Sequence, residues 1–125
     1  MAAAKKLVKD IMTKGAKLVT VGPKDKVADA MKLIVDKKVS GLPVVDGGKV
    51  VGVITEADVL TNAKSKTVKA AMTPASELFS ICPMATVKEA AEKLACAKKK
   101  RAIVLDKEGG LAGVVSRTDV IKAML

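Results

Sequence analysis

The chain has 125 residues, half of them hydrophobic, with 23 basic against 13 acidic side chains and a formal charge of +10. A chain of this length buries roughly two-thirds of its unfolded surface in one compact body; no apolar run reaches membrane-spanning length and residues 1–6 lack the apolar core of a secretion signal, so a cytoplasmic globular protein is expected. Histidine, tryptophan and tyrosine are absent, which removes the commonest general base and zinc ligand and makes hydrolytic triads and metal chemistry poor fits.

Residues 1–7 read as a basic, alanine-rich lead with little to pack. A short helical turn is predicted from Val8 to Met12, and Leu18-Val19-Thr20-Val21 reads as a strand stopped by Gly22-Pro23. From Lys26 to about Lys38, the residues Val27, Ala30, Met31, Ile34 and Val35 fall on one helical face. Gly41 to Val45 and Val50 to Ile54, joined across Asp46-Gly47-Gly48-Lys49, form a hairpin signal. Gly52-Val53-Ile54-Thr55-Glu56-Ala57-Asp58-Val59-Leu60 then reads as a strand running into a helix N-terminus.

After a polar joint at Asn62 to Thr67, the same order returns. Val8–Thr13 matches Val68–Thr73, Pro23 matches Pro83, Val44-Val45-Asp46 matches Val104-Leu105-Asp106, and Gly113-Val114-Val115-Ser116-Arg117-Thr118-Asp119-Val120-Ile121 repeats the strand-to-helix run. The register slips by one residue only in the hairpin loop, where insertions are best tolerated. Thr86-Val87-Lys88-Glu89 is a capping box at the start of the second long helix; Lys26 stands at the corresponding place in the first, so that helix is expected to start less well capped. Cys82 and Cys96 answer to Gly22 and Asp36 and lie outside metal-ligand spacing, so they read as small packing residues that stay reduced.

Two tandem units of this order resemble a pair of CBS (cystathionine-β-synthase-type) domains. Each ends in glycine, a hydrophobic residue, any residue, Thr or Ser, two residues and Asp; Met12-Thr13, Met72-Thr73 and Gly41-Leu42-Pro43-Val44-Val45-Asp46 are further marks. The resemblance implies an α/β (α+β) fold of two β-α-β-β-α units, residues 8–62 and 68–125, packed as a pseudo-twofold pair. It also implies regulatory binding, without catalysis, of an adenine-containing ligand such as AMP, ADP, ATP or S-adenosylmethionine in clefts between the halves. Asp58 and Asp119 would accept from ribose hydroxyls, and Thr55 and Ser116 would donate to a phosphate. Val53 and Val114 would line the adenine, with Thr20 and Ser80 offering backbone contacts to its edge. Ser40, Gly41, Leu42 and Pro43 would wall one cleft, and Lys100, Arg101 and Ala102 the other.

Each of these motifs has a plainer reading. Thr-x-x-Asp and Ser-x-x-Asp are close to a capping box, and a cap alone would explain either copy; two copies in frame favour a ligand role in at least one. Lys98-Lys99-Lys100-Arg101 follows a helix, where cations complement the dipole without any ligand. Yet Lys100, Arg101 and Arg117 gather at the second motif, where the first has Ser40, Gly41 and Glu56, so the second is the more cationic.

The alternative functions are nucleic-acid binding, suggested by the net charge but served by a single aromatic residue, Phe79, and a dimerisation module with empty clefts. A homodimer is expected because the helices at Val27–Val35 and Val120–Leu125 carry more apolar surface than one small sheet covers. With no effector domain in the sequence, output is expected through a separate effector protein.

Overall fold

A computed structural model describes residues 6–14 and 18–125, and the reading of residues 1–5 lies outside the described residues. The elements in chain order are α1 (Val8–Ile11), α2 (Val27–Lys37), β1 (Gly41–Asp46), β2 (Lys49–Thr55), α3 (Glu56–Thr61), α4 (Val68–Ala71), β3 (Thr73–Pro74), a 3-10 turn (Ala75–Glu77), β4 (Ser80–Ile81), α5 (Val87–Ala97), β5 (Arg101–Leu105), β6 (Leu111–Ser116) and α6 (Arg117–Met124). They make a mixed α+β fold with two three-stranded sheets, β1-β2-β3 and β4-β5-β6.

The compact units do not follow the sequence repeat from end to end. Val19–Leu78 form one unit, and the described residues up to Leu18 fall with Phe79–Leu125 in the other. The leading helix of each repeat therefore serves the sheet of the opposite repeat. The units of packing thus exchange the first segments of the two sequence repeats.

In the Val19–Leu78 unit, the apolar stripe of α2 buries Val27, Ala30 and Ile34 against Leu42, Val44, Ile54 and Val59, with Val68 and Ala71 of α4 closing the core. Lys26 supplies no side-chain cap, and α2 ends on Lys38 in the left-handed region at φ +55°. The polar joint is fastened rather than loose: Val27 N–H donates to Lys66 O at 3.1 Å and Val68 N–H to Asp25 O at 2.8 Å. The β1–β2 turn needs positive φ at both central residues, which Gly47 (+58°) and Gly48 (+80°) supply.

In the second unit, α1 seats Val8, fully buried, among Ile81, Val87, Ala90, Leu94, Val104, Val115 and Val120. Burying one such side chain is worth about 1.5–3 kcal/mol, enough to hold a four-residue helix that would not form alone. The lead is tied down further than its composition suggests. Lys6 O accepts from Val87 N–H, and Leu7 bridges Thr86, so residues 6 and 7 do pack.

One predicted strand shrinks. Of Leu18–Val21, only Val21 bridges β1, in parallel to Val44, whereas the counterpart β4 is a named strand parallel to β5. The reason is Pro43. In the second unit, Ile103 N–H donates to Phe79 O at 3.4 Å, but the corresponding Pro43 has no N–H to offer Val19. The third strand of the first sheet is instead β3, antiparallel to β2.

Candidate functional site

Each repeat ends in a strand that stops on a hydroxyl residue and becomes the N-cap of a helix. In the Val19–Leu78 unit, Thr55 N–H donates to Asp58 Oδ2 at 2.9 Å and Asp58 N–H to Thr55 Oγ1 at 3.1 Å. In the other unit, Ser116 N–H donates to Asp119 Oδ2 at 2.9 Å and Asp119 N–H to Ser116 Oγ at 3.1 Å. Both capping boxes are formed, so the plainer reading of these motifs is satisfied in full. A box still leaves acceptor capacity, since a carboxylate has about four lone-pair sites and the box uses one of them.

Strand register brings the neighbouring residues to these boxes. Gly41 pairs with Thr55 across β1 and β2, and Arg101 with Ser116 across β5 and β6. Glu56 N–H donates to Ser40 O and Arg117 N–H to Lys100 O, each at 2.9 Å. Gly41 and Ser40 thus lie beside Thr55, while Arg101 and Lys100 lie beside Ser116. Arg117 is also held by its side chain, its Nε donating to Lys99 O at 2.7 Å. That bond holds the guanidinium against the main chain just past the C-terminal end of α5, where cations complement the helix dipole.

Glycine is required in the strand leading to each box. A Cβ on Gly52 would stand 2.5 Å from Thr73 O and 2.8 Å from Met72 Sδ, and one on Gly113 would stand 2.6 Å from both Thr13 O and Met12 Sδ. The Met-Thr pair at the start of each repeat is thus the segment that packs across these glycines.

The remaining residues named from the sequence fall in different settings. Val53 and Val114 are half-buried, Thr20 is exposed and Ser80 half-buried. Leu42 (1% exposed) and Ala102 (2%) turn their side chains into the cores, and Pro43 is buried too, so these three can offer only main chain to a ligand. Lys100, Arg101 and Arg117 are exposed. Two contacts lie outside the sequence reading. Thr73 Oγ1 donates to the Asp58 carboxylate, and Lys93 Nζ donates to Ser80 O at 3.0 Å while standing 6.0 Å from the Phe79 ring centroid. The recurrence of Met-Thr was the only signal for the first of these; Leu33 stands where Lys93 does, so no repeat announced the second.

Cys82 and Cys96 are free and exposed, not the packed residues expected, because α5 turns Cys96 away from the stripe of Val87, Ala90 and Leu94 and Cys82 follows the last residue of β4. Both line an open cavity of about 750 Å³ with Phe79, Ile81, Lys93 and others of the second unit. Among the described residues, no cluster of His, Cys, Asp and Glu could hold a metal ion, and no helix is long and apolar enough to cross a membrane.

The CBS domain family matches residues 8–65 and again 68–125. The chain belongs to the CBS-domain family. Among solved structures similar to it is CBSX2 of Arabidopsis thaliana in complex with AMP, at TM-score 0.85 and 33% identity, covering 94% of this chain and 95% of that one. Another is the CBS domain of a bacterial CNNM/CorC family Mg2+ transporter in complex with ATP, at TM-score 0.80 and 26% identity, covering 98% of this chain and 89% of that one. The chain spans less than half the length of several curated relatives. One is the uncharacterized protein MJ0188 of Methanocaldococcus jannaschii, 28% identical over 118 residues that cover 94% of this chain and 44% of the relative.

Proposed function

We propose that this CBS pair is a regulatory, non-catalytic module that binds an adenine nucleotide and passes its occupancy to a partner protein. The observation that carries the reading is the second motif, where the Ser116–Asp119 box lies next to Lys100, Arg101 and Arg117 through the β5–β6 register and two bonds from Arg117. Asp119 accepts from the ribose hydroxyls, Ser116 donates to a phosphate, and the three cations neutralise it. Val114 gives apolar contact to the base, and Ser80 main-chain contact to its edge. The AMP- and ATP-bound relatives support nucleotide as the ligand class.

The test is calorimetric titration of AMP, ATP and S-adenosylmethionine at moderate salt. The reading expects AMP or ATP to bind more tightly than S-adenosylmethionine, which has no phosphate and whose net positive charge the cations repel. Tighter S-adenosylmethionine binding would move the site away from these cations. RNA binding that fades with salt, without nucleotide binding, would support the polyanion reading of the +10 charge instead.

The module is also proposed to be a homodimer. Met31 and Val35 on α2 (38% and 73% exposed) and Ile121 and Met124 on α6 (58% and 62%) are apolar side chains left in water by helices whose other faces are buried. Light scattering at high protein concentration should give twice the chain mass, and a monomer mass removes the proposal.

A further inference from the structure

The two motif aspartates differ in what already occupies them. Asp58 takes the Thr55 N–H on Oδ2, and the Thr73 hydroxyl lies 3.1 Å from Oδ2 and 3.2 Å from Oδ1. A hydroxyl nearly equidistant from both oxygens stands astride the carboxylate, where the two hydroxyls of a cis-diol would have to straddle it. Asp119 takes the Ser116 N–H on Oδ2, and among the described residues no side chain donates to its carboxylate. Thr13, the counterpart of Thr73, exchanges main-chain bonds with Val114 in both directions at 2.8 and 3.0 Å, but no hydrogen bond joins its hydroxyl to Asp119 among the described residues.

The bond spans 15 residues and is part-buried. It fastens β3, which follows α4, to the first turn of α3, so three separate pieces of one unit meet on a single carboxylate: the end of β2, the start of α3, and β3. A charge-assisted hydrogen bond that is part-buried is stronger than a neutral one of the same geometry.

We propose that Thr73 makes Asp58 a structural clasp, withdrawing the first Thr-x-x-Asp motif from ribose binding, so that the chain uses one motif carboxylate for nucleotide rather than two. The ligand half of this statement rests on the proposed adenine-nucleotide function, while the clasp itself does not. The hydroxyl-x-x-Asp pattern gives no sign of this difference, which is made by a residue 15 positions further along the chain.

A double-mutant cycle on melting temperature tests the clasp, with AMP titration on the same proteins. Thr73→Val should melt roughly 4–8 °C below wild type, and Thr73→Ser, which keeps the hydroxyl, should melt with wild type. Asp58→Ala should lose more, because the cap goes as well, and the Thr73→Val/Asp58→Ala double variant should melt with Asp58→Ala. Asp58→Asn, which keeps the side-chain volume, replaces Asp58→Ala should that variant fail to fold. AMP should bind Thr73→Val and Asp58→Asn as tightly as wild type. Additive losses of melting temperature would overturn the clasp, as would a tenfold or larger loss of AMP affinity in a folded Asp58→Asn chain. If wild type takes no AMP at all, the functional proposal fails, and the melting cycle alone decides the clasp.

Discussion

In the Val19–Leu78 unit, the carboxylate at the repeated motif faces Thr73, the helix beside it begins with Glu56, and the strand opposite starts at Gly41. In the unit of Phe79–Leu125, the same box faces no side-chain donor among the described residues, the helix begins with Arg117, and the strand opposite starts at Arg101. Local backbone geometry is the same to within a few degrees: Thr55 sits at φ −106°, ψ 170° and Ser116 at φ −111°, ψ 165°. Duplication has therefore kept the backbone scaffold and given its two copies different neighbours, a hydroxyl on one carboxylate and cationic residues beside the other box.

The comparison can be broken most directly at its shared element. Gly52→Ala and Gly113→Ala should each cost about 1–3 kcal/mol or more, since the new Cβ meets a backbone carbonyl that cannot swing aside. Urea unfolding that left either variant at wild-type stability would show that the Met-Thr segments are not fixed across these glycines.

Next in size is the ligand arm. Asp119→Ala should weaken AMP binding tenfold or more, about 1.4 kcal/mol, while Asp58→Ala leaves it within a small factor. Because Asp119 also completes a cap, the melting temperature of the free variant is the control. A larger loss in Asp58→Ala would invert the assignment of the two copies.

The helix ends offer a matched pair. Lys38 and Lys98 both adopt the left-handed conformation at φ +55°, which glycine adopts without strain. Lys38→Gly and Lys98→Gly should each gain up to about 1 kcal/mol in thermal or chemical unfolding. Only Lys98→Gly removes a cation from the basic run that leads to Lys100 and Arg101, so only it should also weaken ATP, and by less than Arg101→Ala does.

The smallest effect concerns the helix starts. Thr86 caps α5 and its amide and hydroxyl bonds hold the exposed Glu89 carboxyl below its ordinary value, whereas Lys26 caps nothing. A depressed folded value means that this contribution is present above the ordinary glutamate range and is lost as pH falls below it, as protonation of Glu89 releases the Thr86 amide. Wild type and Glu89→Gln should thus converge in stability in acid and differ slightly at neutral pH. Conversely, Lys26→Thr, with Asp29 three residues on, should install the missing cap and gain roughly 0.5–1 kcal/mol.

By itself, the sequence determined what depends on neighbours a few residues apart. The amphipathic faces of α2 and α5, the two-glycine hairpin turn, the Thr86–Glu89 cap, the missing cap at Lys26, and the strand-to-helix motifs ending at Asp58 and Asp119 all rest on interactions within about one helical turn or one β-turn. The repeat, in register up to the hairpin loop and offset by one residue after it, made the duplication, and with it the family, legible from the same local marks. Only the tertiary structure decided the rest. Val8 fits an aliphatic core as well in one unit as in the other, so its hydrophobicity could not say which sheet α1 would cover. Pro43 reads as a tolerated strand residue until the strand that needs its missing N–H is known. The bonds of Thr73 to Asp58, Lys93 to Ser80 and Arg117 to Lys99 join residues 15, 13 and 18 apart, and a side chain's hydrogen-bonding capacity carries no address at that distance. The packing of the core supplies that address, which is why two motifs nearly identical in sequence end with different carboxylates to offer.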